Sequence, residues 1–171
     1  WDIICADMSA IRTKDIFFDM FFAKSQYNDR KIYGKAYWNE KAQYEWGVKS
    51  SAKIMEENKS YQYIYSRSMW PASHVAAYYY KKAHPEAFWY AEFSDPLYMT
   101  AECEVRKPSL NYDGDDSFLN NFWYDIECFV FENADKVILN NDNQKNFMKE
   151  NNELLNTWDD VKYNDKCIVA P

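Results

Sequence analysis

His74 and His84 bracket the stretch "VAAYYYKKA" within "SHVAAYYYKKAHPEAF". Imidazole is the side chain best suited to move protons or ligate a metal near neutral pH. On a loop, either ring could give an axial nitrogen to haem iron; the plainer reading is a solvated imidazole. Glu102 and Glu104 flank Cys103, and "NYDGDDSF" gathers Asp113, Asp115 and Asp116. That run loosely follows a calcium loop, yet it lacks the glutamate at the twelfth position and reads as a solvated acidic turn. No Gly-x-Ser-x-Gly elbow, phosphate-cradling Gly-rich loop or His-Glu-x-x-His helix occurs. The sequence is therefore read as non-enzymatic. It assigns no catalytic residue, no metal ligand and no resident cofactor, a bound lipid or haem-like molecule aside.

Four cysteines remain: Cys5, Cys103, Cys128 and Cys167. None forms a Cys-x-x-Cys pair, and the spacing suits no zinc ribbon or knuckle. An even number at these distances reads as two disulfides in an oxidising compartment, against the alternative of four buried free thiols. Asn58-Lys59-Ser60 is a glycosylation sequon, a triplet too common to weigh much. The chain starts at Trp1 without a methionine, and is read as a mature product whose signal peptide has been removed. Secretion, or another extracytosolic location, follows as the expectation.

The elements that must hold these groups come from composition and period. With 171 residues, of which 47% are hydrophobic and 19% aromatic, the chain is long and apolar enough for a single domain with a substantial core. A formal net charge of −7 and no Lys/Arg cluster argue against nucleic acid and against an anionic membrane surface. No apolar run reaches the roughly 18 residues of a membrane span. Only three glycines and five prolines are present, so turns fall to Asn and Asp, which tolerate left-handed backbone. The bias toward Asn, Lys, Tyr, Ile and Phe also marks an AT-rich genome.

Between those turns, aromatic and β-branched runs predict strands at 16–24, 31–38, 44–53, 61–68, 75–82, 88–93, 98–105 and 122–131. Tyr61, Tyr63 and Tyr65 alternate with other residues, a period that sets them on one face. Consecutive strands with short links predict an all-β fold, an eight-stranded antiparallel up-and-down β-barrel, because closure removes exposed edges. From 141 to 158 the period changes. Phe147, Met148, Leu154, Leu155 and Trp158 form a helical stripe, with Asn141 or Asp142 as cap. The whole chain, 1–171, is thus one domain: a barrel over about 14–132, a helix over about 141–158 packed outside, and a tail over 159–171.

This order of elements, and two stretches within it, resemble the lipocalin family. "FWYAEFSDPLYMTAEC" resembles the family's second signature, in which a strand ends in Thr-Asp, turns, and resumes with Tyr toward a cysteine. Ser94-Asp95 stands at Thr-Asp, Tyr98 follows the turn, and Cys103 closes the match. "CFVFENADKV" resembles the last strand, where Phe-Val-Phe precedes Ser-Arg. Phe129-Val130-Phe131 matches, while Glu132-Asn133 replaces Ser-Arg. The first-strand Gly-x-Trp has no counterpart in "DIFFDMFFAK", where Phe17, Phe18, Phe21 and Phe22 supply bulk instead. The compositional bias is similar to that of a lipocalin from a malaria-type apicomplexan parasite, which would be secreted into a vacuolar compartment. The resemblance implies bridges Cys5–Cys103 and Cys128–Cys167, with Cys5–Cys167 and Cys103–Cys128 as the rival pairing.

It also implies a calyx for one small hydrophobic molecule: a lipid, a retinoid-like compound or a tetrapyrrole such as haem. The candidate lining is Phe18, Phe22, Trp46, Tyr63, Tyr65, Tyr78, Tyr80, Phe88, Tyr90 and Trp123. The expected role is a carrier that transports or sequesters its ligand, with protection from oxidative damage as one consequence. The alternative is an interaction protein whose barrel is filled with side chains and whose outward aromatics bind another subunit or a second copy of the chain. A third reading, an enzyme acting on a ligand within the barrel, has the least support.

Overall fold

Two runs, "YIYSR" and "FWYAEF", set the architecture, because they pair side by side and point the same way. The structure is a computed structural model that describes residues 2–7, 29–35, 39–67, 71–98 and 122–170. In chain order its elements are β1 (Asp2–Asp7), β2 (Asp29–Lys35), α1 (Glu40–Glu56), β3 (Tyr63–Arg67), α2 (Ala72–Ala83) and β4 (Phe88–Phe93). They continue with α3 (Phe122–Asn133), β5 (Lys136–Leu139), α4 (Asp142–Asn151), α5 (Glu153–Asn156), α6 (Asp160–Lys166) and β6 (Cys167–Val169). Strands β3-β4-β5-β6 form one sheet in that order, and β1-β2 form a second. Every pairing is parallel.

The expected all-β barrel is therefore wrong, and the fold is mixed α/β with an open parallel sheet. The reason lies in three segments predicted as strands, 44–53, 75–82 and 122–131, which fall in α1, α2 and α3. Their aromatic and β-branched content suggests strands, but their buried positions repeat with the helical period. On α1 these include Tyr44, Gly47, Ser51 and Ile54; on α3 they include Phe122, Ile126, Phe129 and Val130. A stripe of this kind gains its burial only as a helix, and tertiary packing overrides local propensity. The predicted strand at 16–24 lies outside the described residues, as does nearly all of the one at 98–105.

Burial along the sheet alternates. On β4, Trp89, Ala91 and Phe93 are buried while Phe88, Tyr90 and Glu92 are only partly covered; on β5, Val137 and Leu139 are buried. Each link from β3 to β6 advances to the next strand in the same direction. Right-handed crossovers then lie on a single face, and the core forms there between the sheet and helices α2 to α6. Phe131 stacks on Phe93 at 6.0 Å and on Tyr163 at 5.7 Å, tying α3 to β4 and α6.

Asn and Asp serve as helix caps where glycine is scarce. Asn39, Asn141, Asn152 and Asp159 each accept a backbone N–H at the start of α1, α4, α5 and α6. Asn141 is one of the two caps the sequence offered, the other being Asp142. Helix α1 lies on α2 through Gly47, where an added Cβ would stand 2.6 Å from Val75 Cβ. The β1-β2 pair attaches nearby: Asp2 accepts from Tyr61 OH at 2.6 Å and from Lys59 Nζ at 2.8 Å.

The expected Cys128–Cys167 bridge is absent, and so is any disulfide among the described residues: both cysteines are free thiols. Cys128 Sγ donates to Asn152 Oδ1 at 3.7 Å, a contact that needs the hydrogen a disulfide would remove. Cys103 lies outside the described residues.

Candidate functional site

Open parallel sheets take ligands beyond the carboxyl ends of their strands, where loops leave the sheet and crossover helices begin. Here that rim is built from Arg67, Ser94 to Tyr98, Asn140 and Ala170, which end or follow β3, β4, β5 and β6. The end of β4 and the segment after it, "SDPLY", are held from three sides. Gln144 on α4 donates from Nε2 to Phe93 O at 3.1 Å. Its Oε1 accepts Asn140 N–H at 2.8 Å, and Asn140 Nδ2 in turn donates to Ser94 O. From below, Glu127 Oε1 accepts the N–H groups of Leu97 at 2.7 Å and Tyr98 at 2.8 Å.

Glu127 is fully buried, and burial pushes its carboxyl up to about 7; the hydrogen bonds from Tyr98, Asn152 and Leu97 pull the other way. Its second oxygen accepts Asn152 Nδ2 at 3.1 Å, while Asn152 Oδ1 caps α5 through Leu154 and Leu155. One carboxylate thus joins the β4 loop to the turn between α4 and α5. Asp95, by contrast, sits at the tip of this fixed loop and is exposed. Among the described residues no partner for its carboxylate is recorded.

A second buried polar set closes the rim beneath β3 and β4. Ser66 Oγ accepts Trp89 Nε1–H at 2.8 Å and hydrogen-bonds His74 Nδ1 at 2.8 Å. His74 lies in the first turn of α2 with its ring 4.8 Å from Phe93. Burial alone pushes its imidazole down to about 3, so the ring is neutral. Its Nε2 is buried without a hydrogen-bond partner. His84 caps the other end of α2, stacked on Tyr80 at 4.4 Å and 3.3 Å from Glu86 Oε1. The two histidines stand at opposite ends of one helix.

Of the ten aromatics expected to line a calyx, four come together. Tyr63 pairs with Phe88 and Tyr65 with Tyr90 across β3 and β4, on the sheet face opposite the helices. Trp46 donates to the backbone of Tyr33, and Tyr78 packs on Phe129 at 4.6 Å. Tyr80 is buried with its hydroxyl accepting Tyr61 N–H at 3.0 Å. Trp123 is buried and donates to Glu40 at 2.7 Å. Phe18 and Phe22 lie outside the described residues. Sequence reasoning missed Glu127, Gln144 and Asn152; Glu127 and Gln144 are polar residues on the buried sides of α3 and α4, while Asn152 stands between α4 and α5 and caps both.

Among the described residues no three His, Cys, Asp or Glu side chains gather to hold a metal ion. No helix of the described residues is long and apolar enough to cross a membrane. No family model, curated protein or solved structure matches the chain.

Proposed function

We propose that this chain binds a small hydroxyl-bearing molecule at the carboxyl rim of its parallel sheet, with the Asp95 carboxylate accepting from the ligand's donors. The observation that carries the reading is the fixing of the Ser94–Tyr98 loop. Buried Glu127 hydrogen-bonds the loop backbone at Leu97 and Tyr98, buried Gln144 fixes its root at Phe93 O and Asn140, and Asp95 is left exposed at its tip. Burying a polar side chain is costly unless its bonds are satisfied, and a loop with no task has no need of two such side chains. A site held by packed elements is also one whose geometry does not have to be organised on binding. The carboxylate and a net charge of −7 disfavour phosphates and other anions, which leaves neutral polyols and amines as the fitting chemistry.

The test is nuclear magnetic resonance titration of the 15N-labelled chain with monosaccharides, polyols and, as a comparison, short polyamines. The expected result is saturable shifts centred on Ser94 to Tyr98 and Asn140, abolished in Asp95→Ala, with the unfolding midpoint unchanged. Shifts scattered over the surface, or a response that survives Asp95→Ala, would overturn the reading.

A further inference from the structure

The two oxygens of Glu127 hold different parts of the fold. Oε1 accepts the N–H groups of Leu97 at 2.7 Å and Tyr98 at 2.8 Å, and is filled by them. Oε2 accepts Asn152 Nδ2 at 3.1 Å. The Asn152 amide is oriented from its other end. Its Oδ1 accepts Leu154 N–H at 3.1 Å, Leu155 N–H at 3.2 Å and the Cys128 thiol at 3.7 Å. Asn152 is buried, and it stands where α4 ends and α5 begins. Every recorded bond on Glu127 therefore comes from a donor, and all of them are satisfied only by an ionised carboxylate.

A proton on Oε1 would face two N–H groups, so Oε2 is where it settles. There it turns an O–H toward Asn152 Nδ2, donor against donor. Rotating the amide by half a turn relieves the clash, because Oδ1 then accepts the new O–H. The same rotation sets Nδ2, which cannot accept, against the N–H groups of Leu154 and Leu155. We propose that Glu127 and Asn152 form a proton-driven latch. Proton uptake from solvent flips the Asn152 amide, removes the cap of α5 and loosens the α4–α5 turn, while the β4 loop stays held at Oε1. Burial brings this event into the neutral range, since it raises the Glu127 carboxyl to about 7. The groups around it stay neutral there. Burial pushes the Cys128 thiol and the Cys167 thiol up to about 11, the Tyr124 phenol up to about 12, and the Tyr163 phenol on α6 higher still. The charges of Asp125 on α3 and Glu153 on α5 bear on Cys128 and Tyr124, and the β4 loop carries Asp95 at its exposed tip. The latch needs no ligand at the rim.

Resonances of the 15N-labelled chain, followed from pH 5 to 9, test it. His84→Asn serves as the background, which leaves His74, held by burial down to about 3, as the sole imidazole. Leu97, Tyr98, Leu154, Leu155 and the Asn152 side-chain amide should shift with one midpoint near 7. Amide protection at Leu155 should be at least about threefold lower on the acid side. Asn152→Ser keeps a helix cap on a side chain too short for Glu127; there Leu97 and Tyr98 should still titrate while Leu154 and Leu155 stay still. Glu127→Gln presents an amide donor to Asn152 at every pH, and should hold Leu154 and Leu155 at their acid positions. Leu154 and Leu155 that ignore the Leu97 midpoint, or that follow it unchanged in Asn152→Ser, overturn the proposal. So does a midpoint at the ordinary carboxyl value of 4.5.

Discussion

Glu127 and Leu97 meet at 2.7 Å, a side-chain oxygen on α3 accepting the backbone N–H of a residue beyond β4. With Tyr98 N–H and Asn152 Nδ2 on the same carboxylate, each of its recorded hydrogen-bond partners is a donor. Removing the acceptor leaves buried donors unpaired, at a cost of about 1–3 kcal/mol for each. Glu127→Ala is expected to lower the unfolding free energy by at least about 3 kcal/mol and to speed amide exchange at Leu97 and Tyr98. Glu127→Gln keeps one oxygen but turns an amide against Asn152 Nδ2, and should cost about 1–2 kcal/mol. Urea unfolding of the three proteins checks the order. An alanine variant as stable as the parent would show that the loop is held by other means.

Two buried groups make stability depend on pH in opposite directions. The Glu127 carboxyl is raised from 4.5 to about 7. The folded chain therefore binds more protons between those values, and stability falls as pH rises through them. His74 is lowered from 6.5 to about 3; there the unfolded chain binds more protons, and stability falls as pH falls from 6.5. The slopes cancel where the windows overlap, each being at most about 1.4 kcal/mol per pH unit. Glu127→Gln removes one of them. Its stability should rise with pH from 4.5 to 6.5 where the parent's is nearly flat, as read from urea midpoints across that range. A flat profile for the variant would contradict the neutral, buried imidazole.

Gly47 permits the close contact of α1 with α2. A Cβ at this position would stand 2.6 Å from Val75 Cβ and 2.8 Å from Ala72 O. One neighbour is the first side-chain atom and the other is backbone, so rotamer changes cannot relieve the clash. Gly47→Ala should destabilise the fold by about 1–3 kcal/mol, despite alanine's better helix propensity. Val75→Ala should not rescue it, because Val75 Cβ and Ala72 O remain in place. Full rescue in the double variant would mean that the helices separate without penalty.

Cys128 and Cys167 are free, and burial pushes both thiols up to about 11. At pH 8 the thiolate fraction is then very small, and the thiolate is the reactive form. Alkylation of the native protein at pH 8 should be slow at both sites. Alkylation in denaturant without reductant should label both fully by peptide mass spectrometry. A Cys128–Cys167 peptide that appears only after reduction would refute the free-thiol structure.

Where the sequence was legible, one physical signal acted alone. "FWYAEF" alternates with no helical stripe to compete, and the predicted strand 88–93 is β4 with the same bounds. Asn141 caps α4 where the sequence allowed, although the single helix expected over 141–158 breaks at Asn152 into α4 and α5. Segments 44–53, 75–82 and 122–131 carried two signals at once. Aromatic content favoured strands, whereas spacing favoured helices, and burial against the sheet decided for spacing. Once α1, α2 and α3 are helices, the strands between them lose hairpin connections and pair in parallel. The rim was illegible for a different cause. Glu127 and Leu97 are brought together only when α3 crosses behind β4, and no local pattern encodes that meeting. Period did place Tyr63 and Tyr65 on one face, but not which face the helices would cover.

The Ser66 hydroxyl offers the sharpest test of the packing beneath the rim. An indole N–H can only donate, so Ser66 Oγ is the acceptor for Trp89 at 2.8 Å. Its own hydrogen is then available to His74 Nδ1, also at 2.8 Å. Ser66→Ala leaves both groups buried and unpaired, and should cost about 2–3 kcal/mol. Trp89→Phe removes the indole donor as well as packing volume. With no N–H left to satisfy, adding Ser66→Ala to Trp89→Phe should cost at least about 1 kcal/mol less than it costs alone. Chemical denaturation of the four proteins in the cycle measures this coupling. Strict additivity would mean that the serine and the indole do not share a hydrogen bond, and that only the backbone ladder and packing join β3 to β4 at this point.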